Sequence, residues 1–258
     1  MRAAGAVVAQ ALTAAVATAV PGASTKDLDA AAAAVMADNG ATASFLGYYG
    51  YPASTCVSVN EEVIHGIPGD RILQAGDLVS VDAGAIISGW HGDAAVSFLV
   101  PGAGVTPATA DLFTPPVGTE SGQGESALLS DRTKMALWAG IEQAVVGAKL
   151  SNIGAAVEAS LADTPYGIVT DYVGHGIGTQ MHMPPNVPNV GPAGKGVTLR
   201  AGMVLAIEPM IMAQPSNVTV LADEWTVVTD SGVRAAHWEH SVAITEAGPW
   251  ILTGPPGV

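Results

Sequence analysis

The residues best suited to chemistry are histidines and acidic residues in short segments punctuated by glycine or proline. All six histidines lie in segments of this kind, with acidic residues in the same or in neighbouring ones. The segments that stand out are Ile64-His65-Gly66-Ile67-Pro68, Val81-Asp82-Ala83-Gly84, Trp90-His91-Gly92-Asp93, Gly174-His175-Gly176-Ile177-Gly178, Met181-His182-Met183, Ile207-Glu208-Pro209-Met210 and Trp238-Glu239-His240-Ser241. A carboxylate at the end of a buried strand is costly unless it is paired or bound to a metal. Such residues therefore raise the hypothesis of a metal site.

Asp82 and Asp93 are separated by the length of a hairpin, with Gly84 and Ser88-Gly89 between them. A hairpin would bring the two carboxylates side by side, where they repel each other unless a divalent cation lies between them. Glu208 and Glu239 also follow apolar residues and pose the same problem.

His175 would add a nitrogen ligand to these four carboxylates. An oxygen-rich set of this kind suits Mn, Co, Fe or Zn in a two-metal site, and it is poor for a closed structural zinc. Two such metals activate a bridging water and polarise a carbonyl, which is the chemistry of metal-assisted hydrolysis. From spacing alone the alternative stays open that the aspartates cap turns and the histidines are structural.

The first hundred residues predict two helices and then strands. Residues 3–20 are uncharged, and Val8, Leu12, Val16 and Val20 recur every four residues, which favours an amphipathic helix ended by Pro21-Gly22. A signal peptide or a short membrane span is the weaker interpretation, because the stretch is mostly alanine with interspersed polar residues. A second helix is predicted from Ser24, with Asp27 in its first turn, to Asn39-Gly40. Strands are predicted around Cys56–Val59, Leu78–Val81 and Ala94–Val100.

The rest of the chain repeats this order after a loop. Residues 101–127 are rich in proline and glycine and predict an exposed loop insertion. Helices are then predicted from Ser130-Asp131 and from Ser151. Strands are predicted around Val173, 204–207, 226–228 and 241–244. Helices then strands, twice, predict an α+β domain built from two similar halves.

Composition excludes several classes of protein. Hydrophobic residues make up 49% and charged residues 12% of the 258 residues, so the whole chain is not intrinsically disordered. The net charge of −14 disfavours nucleic acid and anionic membranes as partners. Cys56 is the single cysteine, so no intrachain disulfide can form.

Taken together, these motifs resemble those of type I methionine aminopeptidases, which have the pita-bread metallopeptidase fold. The resemblance also includes segments outside the histidine motifs: Met1-Arg2-Ala3-Ala4-Gly5, Phe45-Leu46-Gly47-Tyr48-Tyr49-Gly50-Tyr51-Pro52, Cys56-Val57-Ser58-Val59-Asn60-Glu61 and Ile251-Leu252-Thr253. It implies one catalytic domain over residues 1–258, with two pseudo-symmetric helix and strand halves around a central antiparallel sheet. The insertion at 101–127 would lie away from the ligand motifs.

The resemblance also implies roles for individual residues. The ligands of two divalent metal ions (Co, Mn, Fe or Zn) would be Asp82, Asp93, His175, Glu208 and Glu239, with Asp93 and Glu239 bridging. The catalytic residues would be His65 near the scissile amide, His182 at the scissile carbonyl and Glu208 as the proton carrier. The methionine side chain would lie against Phe45, Tyr48, Tyr51, Cys56, Met181 and Trp225.

The implied substrate is the N-terminal peptide of a nascent protein whose second residue is small. A monomeric, cytoplasmic enzyme close to the ribosome is the expected setting, without nucleic acid or membrane partners. Two alternatives are weighed against this activity. One is a proline-specific aminopeptidase or dipeptidase of the same fold, which usually carries an extra N-terminal domain. The other is an inactive pita-bread protein that only binds a partner.

Overall fold

The computed structural model describes residues 1–102, 112–115 and 124–254. The α-helices in this part of the chain are α1 (Arg2–Thr18), α2 (Thr25–Asp38), α3 (Glu125–Glu142) and α4 (Ser151–Ser160), with a single 3₁₀ turn at Tyr48–Gly50. The strands are β1 (Thr42–Ala43), β2 (Thr55–Val59), β3 (Glu62–Ile64), β4 (Leu78–Ile87), β5 (Trp90–Leu99), β6 (Gly167–Ile168), β7 (Gly174–Gly176), β8 (Met183–Val187), β9 (Val204–Ile207), β10 (Met210–Met212), β11 (Val218–Val220), β12 (Val227–Thr229), β13 (Ala235–His237), β14 (His240–Thr245) and β15 (Gly248–Ile251).

The two N-terminal helices confirm the predicted pattern. Val8, Leu12 and Val16 of α1 are fully buried, whereas Val20 lies beyond the end of the helix and is 37% exposed. The small residues of α1 allow the helix to lie very close to its neighbours. A Cβ on Gly5 would lie 2.2 Å from the carbonyl oxygen of Leu252.

Helix α2 begins with the predicted acidic first turn. The Ser24 backbone N–H donates to Asp27 Oδ2 at 2.8 Å, and the two residues form a capping box. Further along α2, Asp29 Oδ1 accepts hydrogen bonds from the backbone N–H groups of Ser54 and Thr55, at 3.0 and 2.8 Å. The helix therefore fixes the start of β2.

The strands form four sheets, and every pairing among the described residues is antiparallel. One large sheet has the order β1-β4-β2, with β5 paired to β4, and the other has the order β15-β14-β9-β7-β8. Each follows a helix pair in the chain, as the two-halves prediction requires. The two meet where Glu239, just before β14, exchanges backbone hydrogen bonds with Ala95 of β5.

The second half differs from the sequence predictions in detail. Helix α3 begins at Glu125, so the end of the predicted 101–127 loop is wrong. Most of that loop lies outside the described residues, but Leu112 and Phe113 are buried in the main core and are not exposed. The prediction missed these two apolar residues because proline and glycine dominate the composition of the segment around them.

Ser151 does not cap α4. The cap position is Leu150, and the Ser151 hydroxyl instead donates to the carbonyl oxygen of Pro192 at 2.8 Å. Short strands such as β6, β10 and β13 were missed because two or three residues are too few to show an alternation of apolar and polar side chains. In the described part of the chain, no helix combines the length and the hydropathy needed to cross a membrane.

Candidate active site

The β4–β5 hairpin brings Asp82 and Asp93 to one face of the first large sheet. Its turn is Ser88-Gly89, both with positive φ (51° and 79°), as a tight two-residue hairpin turn requires. Asp82 pairs with Ala95, and Asp93 pairs with Gly84. The two aspartates are therefore diagonal neighbours on the same face, which confirms the hairpin predicted from their spacing.

The second large sheet adds the other acidic residues and one histidine. His175 lies on β7 opposite Ala206, Glu208 directly follows β9, and Glu239 directly precedes β14. Ligand atoms of Asp93, His175 and Glu239 all lie within 4.8 Å of one another. Glu208 Oε1 lies 3.5 Å from His175 Nε2. The structure thus brings all five predicted ligands to one place, between the two halves.

Asp93 and Glu239 are buried, Asp82 and Glu208 are half-buried, and three of these carboxylates have a buried oxygen without a hydrogen-bond partner among the described residues. Burial raises the pKa of Asp82 to about 7 and that of Glu208 to about 7. Burial, and then the neighbouring carboxylates, raise the pKa values of Asp93 and Glu239 well above their usual range. Among the described residues, Asp82 Oδ1, Asp93 Oδ1 and Glu239 Oε1 are buried without a hydrogen-bond partner.

This donor set fits divalent cations. Buried, mutually repelling oxygens with free lone pairs need positive charge, and no lysine or arginine of the described chain forms an ion pair with them. His175 Nδ1 lies 2.9 Å from the carbonyl oxygen of Gly176. That contact holds the proton on Nδ1 and leaves the Nε2 lone pair directed at the carboxylates, as in metal-binding histidines.

A cavity of about 130 Å³ opens onto the cluster. Its size is similar to the roughly 150 Å³ cavity that admits one benzene ring, so it accommodates one side chain. Its lining comprises the predicted site residues: Phe45, Tyr48, Tyr51, Cys56, His65, Asp82, Asp93, His175, Met181, His182, Glu208, Trp225 and Glu239.

The apolar end of the cavity is a packed cluster of aromatic, thiol and thioether groups. Phe45 and Tyr51 meet edge to face, and Tyr51 meets Trp225 in the same way. The Tyr51 hydroxyl shares its one proton between the carbonyl oxygens of Thr55 and Gly66, at 3.1 and 3.0 Å, which fixes its ring. Burial raises the pKa of the Cys56 thiol, so Cys56 is a neutral part of the wall.

Two histidines flank the cluster. His65 has a positive φ of 60°, a strained conformation that is typical of functional positions. Burial, and then His237, lower the pKa of His65 to about 4, so its ring is neutral at pH 7. His182 Nδ1 lies 2.8 Å from the Tyr48 hydroxyl, and the His182 ring lies 4.2 Å from that of His175.

One further histidine was missed by the sequence analysis. His237 Nε2 lies 3.7 Å from Glu208 Oε2, and among the described residues it is buried without a hydrogen-bond partner. Its place two residues before Glu239 was the available signal, because β13 leads directly into the short segment that carries Glu239.

Comparison with known proteins decides the family. The model of metallopeptidase family M24 matches residues 1–246. Methionine aminopeptidase 1 of Mycobacterium tuberculosis is 50% identical over 98% of this chain and 91% of its own length. This chain belongs to the M24 methionine aminopeptidases. Methionine aminopeptidase 1 of Bacillus subtilis is 45% identical over 90% of this chain and 86% of its own.

Solved structures agree with this family assignment and bear on the first alternative. The crystal structure of methionine aminopeptidase from Thermotoga maritima has a TM-score of 0.88 and 37% identity, covering 98% of this chain and 94% of that one. The prolidase of Pyrococcus horikoshii has a TM-score of 0.71 and 20% identity, covering 98% of this chain but 60% of that one. The prolidase shares the pita-bread fold alone.

Proposed function

We propose that this protein hydrolytically removes the N-terminal methionine from nascent proteins whose second residue is small. The observation that carries the proposal is the cavity, whose apolar end opens directly onto buried carboxylates and His175. Aromatic, thiol and thioether groups suit the flexible thioether of methionine. Membership of the methionine aminopeptidases supports the same reaction.

Two divalent ions would be held by Asp82, Asp93, His175, Glu208 and Glu239. Bound there, they would lower the pKa of a water and polarise the scissile carbonyl, and Co, Mn, Fe and Zn all fit the donor set. The chain's own residues then bind the peptide and move the protons.

The proposed proton carrier is Glu208. A carboxylate oxygen of Glu208 accepts the proton of the attacking water and returns it to the leaving amine. The carboxylate of Glu208 lines the cavity together with His65 and His182, which supports this role.

The two flanking histidines orient the scissile amide. Neutral His65 would lie at the amide nitrogen and the residue that follows methionine. His182, with Nδ1 facing the Tyr48 hydroxyl, would direct Nε2 at the scissile carbonyl and stabilise the charge that develops on its oxygen. The methionine side chain would fill the space between Phe45, Tyr51 and Trp225.

The experiment is release of free methionine from Met-Ala-Ser by metal-stripped protein reloaded with Co²⁺ or Mn²⁺. We expect metal-dependent release from the wild type and none from Asp93→Ala. Asp70→Ala is the matched control, because its carboxylate is 89% exposed and pairs only with surface Lys26 among the described residues. This control should retain full activity.

Two further substrates complete the test. Met-Trp-Ser should be a poor substrate if the second residue must be small. Folded, metal-loaded protein that releases no methionine from Met-Ala-Ser would contradict the proposal. Cleavage of Ala-Pro instead would favour the proline-specific alternative.

A further inference from the structure

The two large sheets are joined by a pair of backbone hydrogen bonds between Ala95 and Glu239. Glu239 N–H donates to the carbonyl oxygen of Ala95 at 2.9 Å, and Ala95 N–H donates to that of Glu239 at 3.4 Å. In a continuous antiparallel ladder, the next hydrogen-bonded pairs would lie two residues to either side. Those pairs would be Asp93 with Ser241 and Ser97 with His237.

At both positions the serine hydroxyl makes the two hydrogen bonds that the serine backbone N–H and carbonyl would make in a continuous ladder. Ser241 Oγ accepts a hydrogen bond from Asp93 N–H at 3.0 Å and donates one to the Asp93 carbonyl oxygen at 2.8 Å. Ser97 Oγ accepts one from His237 N–H at 2.9 Å and donates one to the His237 carbonyl oxygen at 2.8 Å. The two arrangements lie two residues to either side of the Ala95–Glu239 pair, with Ser97 on β5 and Ser241 on β14.

The backbones of both serines are committed to their own sheets. Ser97 of β5 pairs with Ser80 of β4, and Ser241 of β14 pairs with Ala206 of β9. Each serine therefore belongs to one sheet and reaches the other only through its hydroxyl. A hydroxyl inserted at each position would hold the two strands further apart than a continuous ladder does, on both sides of the Ala95–Glu239 pair.

Asp93 and Glu239 are the ligands that these two meeting segments contribute. Ser241 holds the Asp93 backbone directly, and Ser97 holds that of His237, two residues from Glu239. All four residues that make these bonds are at most 3% exposed. If a mutation removes one of the hydroxyls, water therefore cannot easily reach the backbone groups that it leaves without a partner.

We propose that Ser97 and Ser241 are paired positioning residues that set the separation of Asp93 and Glu239, and thereby the metal affinity of the site. The inference rests on the proposed metal site, but it does not depend on which peptide is cleaved. A role in fold stability alone would lower the free energy of unfolding without changing the metal affinity of the folded protein.

The test is calorimetric titration of metal-free protein with Mn²⁺, for Ser241→Ala and Ser97→Ala. Loss of a residue that holds a ligand in place typically costs about 10–100-fold in metal affinity. We expect a loss in that range for Ser241→Ala and a smaller loss for Ser97→Ala. The control is Thr133→Val, which removes a buried hydroxyl whose hydrogen bond lies within α3.

Urea unfolding of each metal-free variant shows that it is folded and measures the change in stability. Ser241→Thr keeps the hydroxyl and should restore most of the lost affinity. If Ser241→Ala does not fold, Ser97→Ala measured against Thr133→Val decides the question. Folded serine variants that bind Mn²⁺ as tightly as Thr133→Val overturn the inference.

The same samples separate this inference from the proposed function. A wild type that releases methionine, with unchanged metal affinity in the serine variants, contradicts the positioning role only. A wild type that binds Mn²⁺ without releasing methionine, with weakened binding in the variants, contradicts the proposed activity and supports the positioning role.

Discussion

Gly66 lies between His65 and Ile67 at a point where the chain passes directly over β2. A Cβ added at Gly66 would lie 2.3 Å from the carbonyl oxygen of Val57 and 3.0 Å from the Cα of Ser58. Both neighbours are backbone atoms of β2, so no side-chain rotation relieves the contact. Gly66→Ala therefore forces one of the two segments to move.

The size of the movement follows from these distances. Ordinary contact begins near 3.4 Å, so the 2.3 Å approach requires a shift of about 1 Å next to His65. A misplacement of about 1 Å costs roughly 100-fold in rate when it affects a catalytic group. The strain of overpacking adds about 1–3 kcal/mol of destabilisation.

The assay measures kcat/KM for Met-Ala-Ser together with urea unfolding. Gly69→Ala is the matched control, because apart from its two chain neighbours the nearest atom to the new Cβ would be the carbonyl oxygen of Ile67, at 3.9 Å. We expect near-normal activity from the control. Gly66→Ala protein with normal kcat/KM and unchanged stability would refute the reasoning that close backbone packing positions His65.

Three other changes have defined outcomes. Tyr48→Phe removes the hydroxyl that contacts His182. Loss of this hydrogen bond, worth about 1 kcal/mol, should lower kcat/KM for Met-Ala-Ser roughly fivefold with little change in the free energy of unfolding. The hydroxyl and the backbone N–H of Ser24 lower the pKa of Asp27, so this carboxylate stabilises the fold above its unfolded pKa, and the contribution is lost as pH falls through the folded value. The stability difference between wild type and Asp27→Ala should therefore shrink below about pH 4 in urea titrations, and a constant difference would contradict this. Each bound Mn²⁺ ion at 100 times its Kd should raise the free energy of unfolding by about 2.7 kcal/mol, and a chelator should reverse the gain.

The sequence predicted the site more fully than it predicted the fold around it. Asp82 and Asp93 were placed together because a glycine-containing hairpin has few possible geometries. The approach of Glu208, Glu239 and His175 was one of two open hypotheses until the family resemblance favoured it, since contacts between the two halves leave no periodic signal in either half. His237 was overlooked because its place two residues before Glu239 was a weak signal by itself.

The fold predictions were wrong where the local sequence pattern favours one structure and tertiary packing favours another. Helix α3 begins at Glu125 rather than at Ser130, whose hydroxyl donates to the carbonyl oxygen of Ser97 instead of capping a helix. Leu112 and Phe113 lie in a segment whose composition predicts a loop, yet both pack into the main core. Burial of a few apolar residues outweighs the local signal, and only the packed structure reveals it.

The close packing of Gly5 against Leu252 has a consequence for how the chain is completed during synthesis. Arg2 Nη1 also donates to the carbonyl oxygen of Leu252, 250 residues further along the chain. Translation at about 5–20 residues per second separates the appearance of these partners by roughly 12–50 s. Helix α1 therefore leaves the ribosome well before the segment around Leu252, and the packing of Gly5 and the hydrogen bond of Arg2 form only after that segment has been made.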